Sequence, residues 1–460
     1  MTIETWLRGE VAVLGLGRSG DAAARLLRAR HAAVYASDGA RSEEVQRTAD
    51  ALSASGVSVQ TGGHDVTRIA TASLVVTSPG IEPDAAPLVA ARSAGVPVVS
   101  EVELALQALT GVKTIAVTGT NGKTTVTSII GHLLRSLGHD VEVAGNIGRP
   151  LSDVALRVTP PDWIALEVSS YQLHDTPSIA PTVGVLTNLA PDHLDRYRDI
   201  EAYYDDKALL FQNATAASRW VVNADSADAL DLAREAAGYL LRFSGEGRLC
   251  DAFFDRQHGR LILLDEPLIR RTELPLLGDH NVGNALAAAL AVASAAPGHS
   301  SISARQKIAA GLRTTRPLPH RLETVGEFGG VLWVNDSKAT NVMAARVGIS
   351  AMTRPIVLLL GGRHKGEPYD SLVEAIRGRA KAVLAFGEAS EQIQRDLGDA
   401  VPIQRISGHF PAVVARAREL AVAGDCVLLS PACSSFDMFH DYEERGHLFA
   451  RLARQSGARA

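Results

Sequence analysis

The run Gly119-Thr120-Asn121-Gly122-Lys123-Thr124-Thr125 contains the residue types that bind a polyphosphate. Its glycines let backbone N–H groups approach phosphate oxygens, and the dipole of a following helix favours an anion. Lys123 is then placed to reach the β- and γ-phosphates, and the Thr124 hydroxyl to bind Mg²⁺. Val117 stands where the common eight-residue phosphate loop has its first glycine. The run therefore predicts a shortened phosphate loop, with an ordinary strand-to-helix turn as the alternative.

Two side chains further along the chain could hold a cation beside this loop. Glu167 ends the apolar run Trp163–Leu166, and a carboxylate at the end of a neighbouring buried strand commonly binds Mg²⁺. A glutamate paired within the core is the alternative. His193 is flanked by Asp192 and Asp195. It is a candidate cation ligand, although a lone histidine can also be structural.

Lysine is scarce in this chain, with 7 lysines among 46 basic residues. Because lysine, unlike arginine, can lose its proton, each lysine inside a motif is a candidate for specific chemistry. Lys207 could bind Mg²⁺ only after its neutral amine had added CO₂ to form a carbamate. An exposed lysine paired with Asp205 or Asp206 is the simpler interpretation.

A second glycine-rich run occurs near the start of the chain. Gly15-Leu16-Gly17-Arg18-Ser19-Gly20 lies between an apolar strand, Val11–Leu14, and a predicted helix that ends near Arg30. The next strand, Ala32–Ser37, ends at Asp38, about 20 residues after the run. This spacing is the dinucleotide fingerprint, which binds NAD or any pyrophosphate next to a ribose. A purely structural tight turn is the alternative.

Polar clusters follow the apolar strands of the last third of the chain. A doubly wound parallel sheet binds ligands at the carboxyl ends of its strands, so these clusters should meet at one edge. Lys338 and Lys365 lie in two clusters and suit a small dianionic acid. Ordinary loops would explain the glycines but not both lysines. The strands, with the clusters that follow them, are Val331–Val334 with Asn335–Asn341, Ile356–Leu360 with Gly361–Gly366, Ala382–Phe386, and Val427–Leu429 with Ser430–Asp437.

Hydrophobic periodicity predicts the elements that position these residues. Val112–Thr118 is typical of a buried strand, and apolar residues at i, i+3 and i+4 as far as Leu137 predict a helix. Strands alternate with helices in this part of the chain, which predicts an α/β fold. Further strands are predicted at Ser73–Gly80, Val96–Val99 and Val183–Thr187.

Three more elements are predicted between the middle and the last third. Tyr203–Asn213 predicts a helix, and Gln257-His258-Gly259 predicts the turn of a hairpin. An alanine-rich helix that ends near Pro297 follows, with Asp279 or Asn281 as its cap. The Asn281 amide could instead contact an adenine edge.

Composition limits the class of protein. With 460 residues the chain is long enough for about three domains. Hydrophobic content of 46% and charged content of 21% are typical of a soluble globular protein. A net charge of −5 predicts neither nucleic-acid binding nor a membrane surface, and we expect no export signal, no membrane insertion and a cytoplasmic location. Three separated cysteines predict neither disulfides nor a zinc site: Cys250, Cys426 and Cys433.

Together these motifs resemble those of the Mur ligases of peptidoglycan synthesis, in the family's order and over essentially the whole chain. The resemblance implies three α/β domains: a Rossmann-like UDP-sugar domain (1–108), a central phosphate-loop ATPase-like domain (109–315) and a Rossmann-like amino-acid domain (316–460). The motifs are Gly15–Gly20, Ser78–Ile81, Thr118–Thr125, Gly145–Gly148, Glu167–Leu173, Asp192–Tyr197, Lys207, His280–Asn284, Pro319–Arg321, Asn335–Asn341, Gly361–Gly366 and Ser430–Phe436.

The resemblance also implies roles for individual residues. The catalytic set is Lys123, Glu167, His193 and Lys207. Two Mg²⁺ ions would be held by Thr124, Glu167, His193 and Lys207 as its carbamate. ATP would bind to Gly119, Thr120, Asn121, Gly122, Lys123, Thr124, Thr125, Asn281, Arg321 and Asp336. The UDP-sugar would bind to Arg18, Ser19, Asp38, Gly80, Asn146 and His193. The amino acid would bind to Lys338, Thr340, Lys365, Ser435, Phe436 and Tyr442.

The resemblance is greatest to the members that join D-glutamate to UDP-N-acetylmuramoyl-L-alanine through an acyl phosphate, and it implies a monomer. This specificity rests on Asn335–Asn341 with Ser430–Phe436, because the Asp-Asn-Pro motif of the diaminopimelate-adding relatives does not occur here. The alternatives are a Mur ligase that adds another amino acid, such as L-glutamate, an NAD-dependent oxidoreductase that uses Gly15–Gly20, and a nucleotide-binding regulator without enzymatic activity.

Overall fold

Three β-sheets organise the chain in the computed structural model, which describes residues 3–192, 197–398 and 400–455. By their internal contacts these residues form two units. The N-terminal unit comprises Met1–Leu274 with Val282–Thr314 and contains the first two sheets. The C-terminal unit comprises Pro275–Asn281 with Thr315–Ala460 and contains the third sheet. The predicted α/β class is confirmed.

The first sheet is parallel throughout, with strand order β3-β2-β1-β4-β5. Its central strands are buried almost completely, as expected where helices cover both faces. The strands are β1 Glu10–Leu14, β2 Ala33–Asp38, β3 Ser58–Thr61, β4 Leu74–Thr77 and β5 Val98–Ser100. The helices are α1 Ile3–Trp6, α2 Arg18–Ala29, α3 Glu43–Ala54, α4 Val66–Ile69, α5 Ala86–Ser93 and α6 Glu101–Ala108.

The second sheet has nine strands in the order β14-β13-β12-β11-β10-β9-β6-β8-β7. The strands that lie between one edge, β7, and β12 are all parallel. At the other edge, β13 pairs antiparallel with both β12 and β14. The strands are β6 Lys113–Thr118, β7 Val141–Gly145, β8 Trp163–Glu167, β9 Val183–Leu186, β10 Arg219–Asn223, β11 Tyr239–Ser244, β12 Ala252–Asp255, β13 Arg260–Leu263 and β14 Glu266–Arg270. The helices are α7 Lys123–Leu137, α8 Leu151–Ala155, α9 Ser170–His174, α10 Ile200–Ala208, α11 Ala227–Ala233, α12 His280–Ser294 and α13 Ile302–Thr314.

The third sheet has six strands in the order β15-β16-β20-β17-β18-β19, and only β15 is antiparallel to its neighbour. The strands are β15 Glu323–Phe328, β16 Val331–Asn335, β17 Ile356–Gly361, β18 Ala380–Phe386, β19 Ile403–Ile406 and β20 Cys426–Leu429. The helices are α14 Val342–Ser350, α15 Val373–Ile376, α16 Ser390–Leu397, α17 Phe410–Leu420 and α18 Tyr442–Arg454.

Several predicted elements need correction. The predicted helix Tyr203–Asn213 is α10, which ends at Ala208 and is followed by a 3₁₀ turn over Leu209–Phe211. Helix α12 begins at His280, so Asn281 lies in its first turn and is not its cap. Three edge strands, β3, β15 and β19, lack the continuous apolar run that revealed the buried strands, because they are only partly buried. The predicted hairpin is confirmed as β12 and β13.

No helix among the described residues is both long enough and apolar enough to cross a membrane. All three cysteines are free, as predicted. The cores of the sheets are built from the apolar strand residues. Many of the polar residues discussed below follow the strands at their carboxyl ends, whereas Lys207 and Arg445 lie in helices α10 and α18.

Candidate active site

The loop between β6 and α7 has the backbone geometry of a phosphate cradle. Gly119 has φ +138° and Gly122 has φ +82°, both in the left-handed region that favours glycine. A Cβ atom at Gly119 would collide with the Thr187 side chain, and one at Gly122 would lie 2.5 Å from Asn284 Oδ1. The loop is therefore packed too closely for side chains at these positions. Asn284 lies in the predicted motif His280–Asn284, but sequence reasoning gave a role only to Asn281.

The strand next to β6 supports the same loop. Thr187 Oγ1 donates to Asn121 O over 2.6 Å, and Asn188 Nδ2 donates to the same oxygen over 3.0 Å. In return, Asn121 N donates to Asn188 Oδ1 over 2.9 Å. Both residues follow β9, which pairs with β6, so the strand order brings them to the loop. Lys123 Nζ donates to Gly119 O and lies over the loop.

Glu167 occupies the predicted position at the end of β8, next to the loop strand β6. Its side chain is buried, and Oε1 accepts a hydrogen bond of 2.8 Å from Asn146 Nδ2. Within the described part of the chain, Oε2 is buried without a hydrogen-bond partner. A buried carboxylate oxygen without a donor is suited to a divalent cation. The arrangement also gives Asn146 a contact that the sequence did not predict.

Lys207 is buried, so its interpretation as an exposed lysine is wrong. Its Nζ donates to Gly119 O over 2.8 Å and lies 4.5 Å from the centre of the Tyr203 ring. Burial, and then the charge of Lys123, lower the pKa of Lys207 well below its usual value. A lowered pKa increases the fraction of neutral amine, which is the form that reacts with CO₂.

The acids next to Lys207 in sequence do not pair with it. Asp206 Oδ1 lies 2.8 Å from His174 Nδ1, and its Oδ2 accepts a hydrogen bond from Tyr197 OH. The hydrogen bond to Asp206 raises the pKa of His174. Asp205 is exposed. The helix therefore directs Asp206 away from the loop and Lys207 towards it.

The first glycine-rich run forms a tight turn between β1 and α2. Gly15 has φ +87°, and a Cβ at Gly20 would collide with Gly15 O. Asp38 Oδ2 accepts a hydrogen bond of 2.7 Å from Leu16 N, and its Oδ1 accepts one of 2.8 Å from Ala40 N. One carboxylate oxygen of Asp38 thus supports the turn between β1 and α2, and the other holds the loop that follows β2. In a dinucleotide site that acid would instead bind ribose hydroxyls.

Three of the remaining predicted UDP-sugar residues, Arg18, Ser19 and Gly80, lie around the carboxyl ends of the first sheet. Arg18 Nη2 donates to Gly148 O over 2.5 Å, which joins the first turn to the Gly145–Gly148 motif. Ser19 is half-buried in α2, and Gly80 is exposed after β4. Next to Gly80 is a cavity of about 330 Å³ between the end of β4 and α9. Its lining includes Ser78, Pro79, Ile81, Leu88, Tyr171 and Gln172.

In the C-terminal unit, the predicted ATP residues begin with a buried acid. Asp336 Oδ2 accepts a hydrogen bond of 2.8 Å from Ser430 Oγ, and Oδ1 accepts one from Leu322 N. Burial raises the pKa of Asp336 to about 7. Asn281 Nδ2 donates to Leu277 O over 2.7 Å. Arg321 is next to Leu322, at the start of the third sheet.

The predicted amino-acid residues follow three strands of the third sheet. Lys338 Nζ lies 5.2 Å from the centre of the Tyr442 ring. Arg363 N donates to Ser434 O over 2.9 Å and so joins the loops after β17 and β20. Ser435 is buried, whereas Phe436 is 61% exposed. The other predicted residues on these strand ends are Thr340 and Lys365.

The predicted cation ligand His193 lies outside the described residues. Among the residues that are described, no group of three histidine, cysteine or acidic side chains is arranged to hold a metal ion. Of the predicted metal-binding residues, Glu167 and Lys207 are the two whose contacts are described above.

Three family descriptions match the chain in succession. The Mur ligase MurD-like N-terminal domain matches residues 9–100, the Mur ligase middle domain 117–292, and the Mur ligase glutamate ligase domain 320–433. The chain belongs to the Mur ligase family, and the predicted three-domain fold class is confirmed.

Similar proteins narrow the comparison within the family. UDP-N-acetylmuramoylalanine–D-glutamate ligases from Acidobacterium capsulatum and Myxococcus xanthus are 41% and 42% identical to the chain. The alignments cover 97% and 96% of this chain and 96% and 97% of those proteins. The fold is similar to that of a UDP-N-acetylmuramate–alanine ligase from Thermotoga maritima, with a TM-score of 0.62, 18% identity and coverage of 98% of this chain and 100% of the other.

Proposed function

We propose that this chain catalyses the ATP-dependent addition of D-glutamate to UDP-N-acetylmuramoyl-L-alanine, a step of peptidoglycan precursor synthesis. The observation that carries the proposal is the site around Gly119, where the phosphate loop, the buried acid Glu167 and the buried amine Lys207 come together. The acceptor and donor are taken from the relatives, which match nearly the full chain and carry this activity in their names.

The three predicted domains divide the substrates among them. Residues 1–108 would bind the UDP-sugar, 109–315 ATP and Mg²⁺, and 316–460 the amino acid. The MurD-like N-terminal match and the glutamate ligase match support the first and the last of these assignments. The protein is expected to be a cytoplasmic monomer.

The phosphate loop would hold ATP for attack by the substrate carboxylate. A carboxylate oxygen bonds to the γ-phosphorus while the bond to the β-phosphate oxygen breaks, which yields an acyl phosphate and ADP. Lys123 and the loop N–H groups lie where negative charge develops. The remaining contacts to ATP are assigned to Gly119, Thr120, Asn121, Gly122, Thr124, Thr125, Asn281, Arg321 and Asp336.

The neutral amine of D-glutamate then attacks the acyl carbon. A tetrahedral intermediate forms, the C–O bond to phosphate breaks, and the amine loses a proton as the amide is completed. Both substrates are anions, so positioning and screening by cations supply much of the rate enhancement. The amino acid is assigned to Lys338, Thr340, Lys365, Ser435, Phe436 and Tyr442, and the UDP-sugar to Arg18, Ser19, Asp38, Gly80, Asn146 and His193.

Mur ligases depend on Mg²⁺. Glu167 Oε2 fits such an ion, because this oxygen is buried and accepts no hydrogen bond among the described residues. When bound, Mg²⁺ neutralises charge on the phosphates. Two ions are proposed, held by Thr124, Glu167, His193 and Lys207. Lys207 would contribute as a carbamate: its buried neutral amine would form a C–N bond to CO₂ and release one proton. The lowered pKa of Lys207 supports this proposal.

The proposal is tested by measuring phosphate release from ATP in the presence of Mg²⁺ and UDP-N-acetylmuramoyl-L-alanine. A panel of D- and L-amino acids is offered as the second substrate. We expect release with D-glutamate, and far less with L-glutamate or D-glutamine. Equal turnover with L-glutamate would favour the alternative amino-acid specificity. Failure of every amino acid to stimulate phosphate release would refute the ligase activity. Reduction of added NAD under any of these conditions would favour the alternative of an NAD-dependent oxidoreductase.

A further inference from the structure

Arg445, in the first turns of α18, is completely buried in the C-terminal unit. Arginine is almost never fully buried unless its charge is paired. Within the described part of the chain, however, its hydrogen bonds go to neutral oxygens. This residue was not singled out by sequence reasoning, because the chain contains many arginines and none of the motifs includes it.

The guanidinium joins two loops at the carboxyl edge of the third sheet. Nε donates to Ser337 Oγ over 3.0 Å, and Nη2 donates to Ser337 O over 2.9 Å. Nη2 also donates to Cys433 O over 3.2 Å, and Nη1 to Ser434 O over 3.4 Å. Ser337 Oγ in turn donates to Tyr442 O over 2.8 Å. One side chain thus connects the loop after β16, the loop after β20 and the start of α18.

These are the segments that carry the predicted amino-acid residues. Lys338 follows Ser337 directly, Ser435 follows Ser434 directly, and Tyr442 starts the helix that contains Arg445. A third loop approaches the same point, since a Cβ atom at Gly362 would lie 3.1 Å from Arg445 Nη1. Lys365 belongs to that loop. The fork of donors on arginine allows one residue to hold several carbonyls in a defined geometry.

The charge of Arg445 remains in place at neutral pH. Burial lowers its pKa to about 10, while Cys433 and Asp437 act in the opposite direction. Its hydrogen bonds within the described residues are to neutral groups, and the Asp437 carboxylate offsets its charge only in part, so a positive potential remains in its surroundings. Glutamate with a free amine carries two negative charges, so such a potential favours it over a monoanion such as glutamine.

We propose that Arg445 is a positioning residue for the acceptor amino acid: it holds the loops of Lys338 and Ser435 together and keeps their pocket positive. The inference rests on the proposed function, because the ligand of that pocket is taken to be D-glutamate. Arg445 acts through the loops and through its charge rather than by contact with the substrate.

The test compares Arg445→Met and Arg445→Lys with Arg451→Met, an exposed arginine of the same helix as the matched control. For Arg445→Met we expect the KM for D-glutamate to rise about tenfold or more, equivalent to roughly 1.4 kcal/mol of binding free energy. Its preference for D-glutamate over D-glutamine should fall. Arg445→Lys, which keeps the charge but not the fork, should retain more of that preference than Arg445→Met. The control should match the wild type.

Acyl phosphate formation without amino acid separates this role from a general structural one. The amount of acyl phosphate trapped with hydroxylamine should change by less than about threefold in the Arg445 variants. The KM values for ATP and the UDP-sugar should stay within the same limit. An unchanged KM for D-glutamate would overturn the inference. So would a parallel rise of all three KM values with a fall in melting temperature.

Ser337→Ala keeps the test decisive if Arg445→Met does not fold. It removes the hydroxyl that accepts from Arg445 Nε and donates to Tyr442 O, and it should also raise the KM for D-glutamate. Its effect should be smaller in the Arg445→Lys background, because the hydrogen bond from Nε to the Ser337 hydroxyl is already absent there. Additive effects would contradict the inference. A wild-type protein that does not consume D-glutamate would instead overturn the proposed function, and this inference with it.

Discussion

Replacement of Lys207 tests the chemistry of the site most directly. Its Nζ and that of Lys123 both donate to Gly119 O, over 2.8 and 2.9 Å, so two ammonium groups would share one carbonyl. Two unit charges about 5 Å apart repel each other by roughly 3 kcal/mol at an effective dielectric constant of 20. Conversion of Lys207 to a carbamate reverses the sign of its charge and turns this repulsion into attraction.

Lys207→Ala should therefore lower kcat about 10³-fold, or roughly 4 kcal/mol of transition-state stabilisation. Added acetate or formate should restore part of the activity by supplying the missing carboxylate. The assay is phosphate release in buffer with and without bicarbonate, with Lys307→Ala as an exposed-lysine control. Wild-type activity of Lys207→Ala would rule out the carbamate, and unchanged wild-type activity after CO₂ removal would count equally against it.

Stability measurements on the same variant provide an independent readout. The pKa of Lys207 is lowered in the folded state, so the unfolded state binds more protons between that lowered pKa and the usual value of 10.5. In CO₂-free buffer, the free energy of unfolding should thus rise with pH across this interval. Lys207→Met should remove that rise and stabilise the protein at neutral pH. A pH profile identical to that of the wild type would refute the reasoning.

Three further perturbations follow from the geometry. Lys123→Ala should abolish phosphate release while the melting temperature stays close to that of the wild type; turnover in this variant would remove the phosphate-loop role. Gly119→Ala should abolish ATP binding, measured by calorimetry, and destabilise the protein by about 1 kcal/mol or more, because its φ is positive and its Cβ would meet Thr187. Gly111→Ala shares the positive φ in open space and is its control; equal effects in the two variants would refute the packing argument. The pKa of Glu101 is raised to about 7, mainly by burial, so its contribution to stability is complete at acidic pH and is lost as pH rises towards 7. In the wild type this should lower the free energy of unfolding, measured with urea, by roughly 3 kcal/mol between pH 4.5 and 7, and Glu101→Gln should remove that decrease. An unchanged dependence on pH in this variant would contradict the assignment.

The sequence was most informative where one short window contains the whole feature. The strand, loop and helix from residue 113 to 137 follow from a β-branched run, two glycines and a helical apolar stripe. Glu167 is identified in the same way, because it is the first acid after a buried apolar run. Edge strands such as β3 and β19 escaped prediction, since their partial exposure leaves no continuous apolar pattern.

Residue types and their local order were sufficient to determine the α/β class, the two glycine-rich turns and the family of this protein. Only the tertiary structure decided that Lys207 points to Gly119 while Asp206 points to His174, that Asp38 supports the turn between β1 and α2, and that Arg445 joins two distant loops. The physical reason is that such contacts depend on strand order. β6 lies between β8 and β9, and this order brings residues 119, 167 and 187 together across gaps that no local window spans.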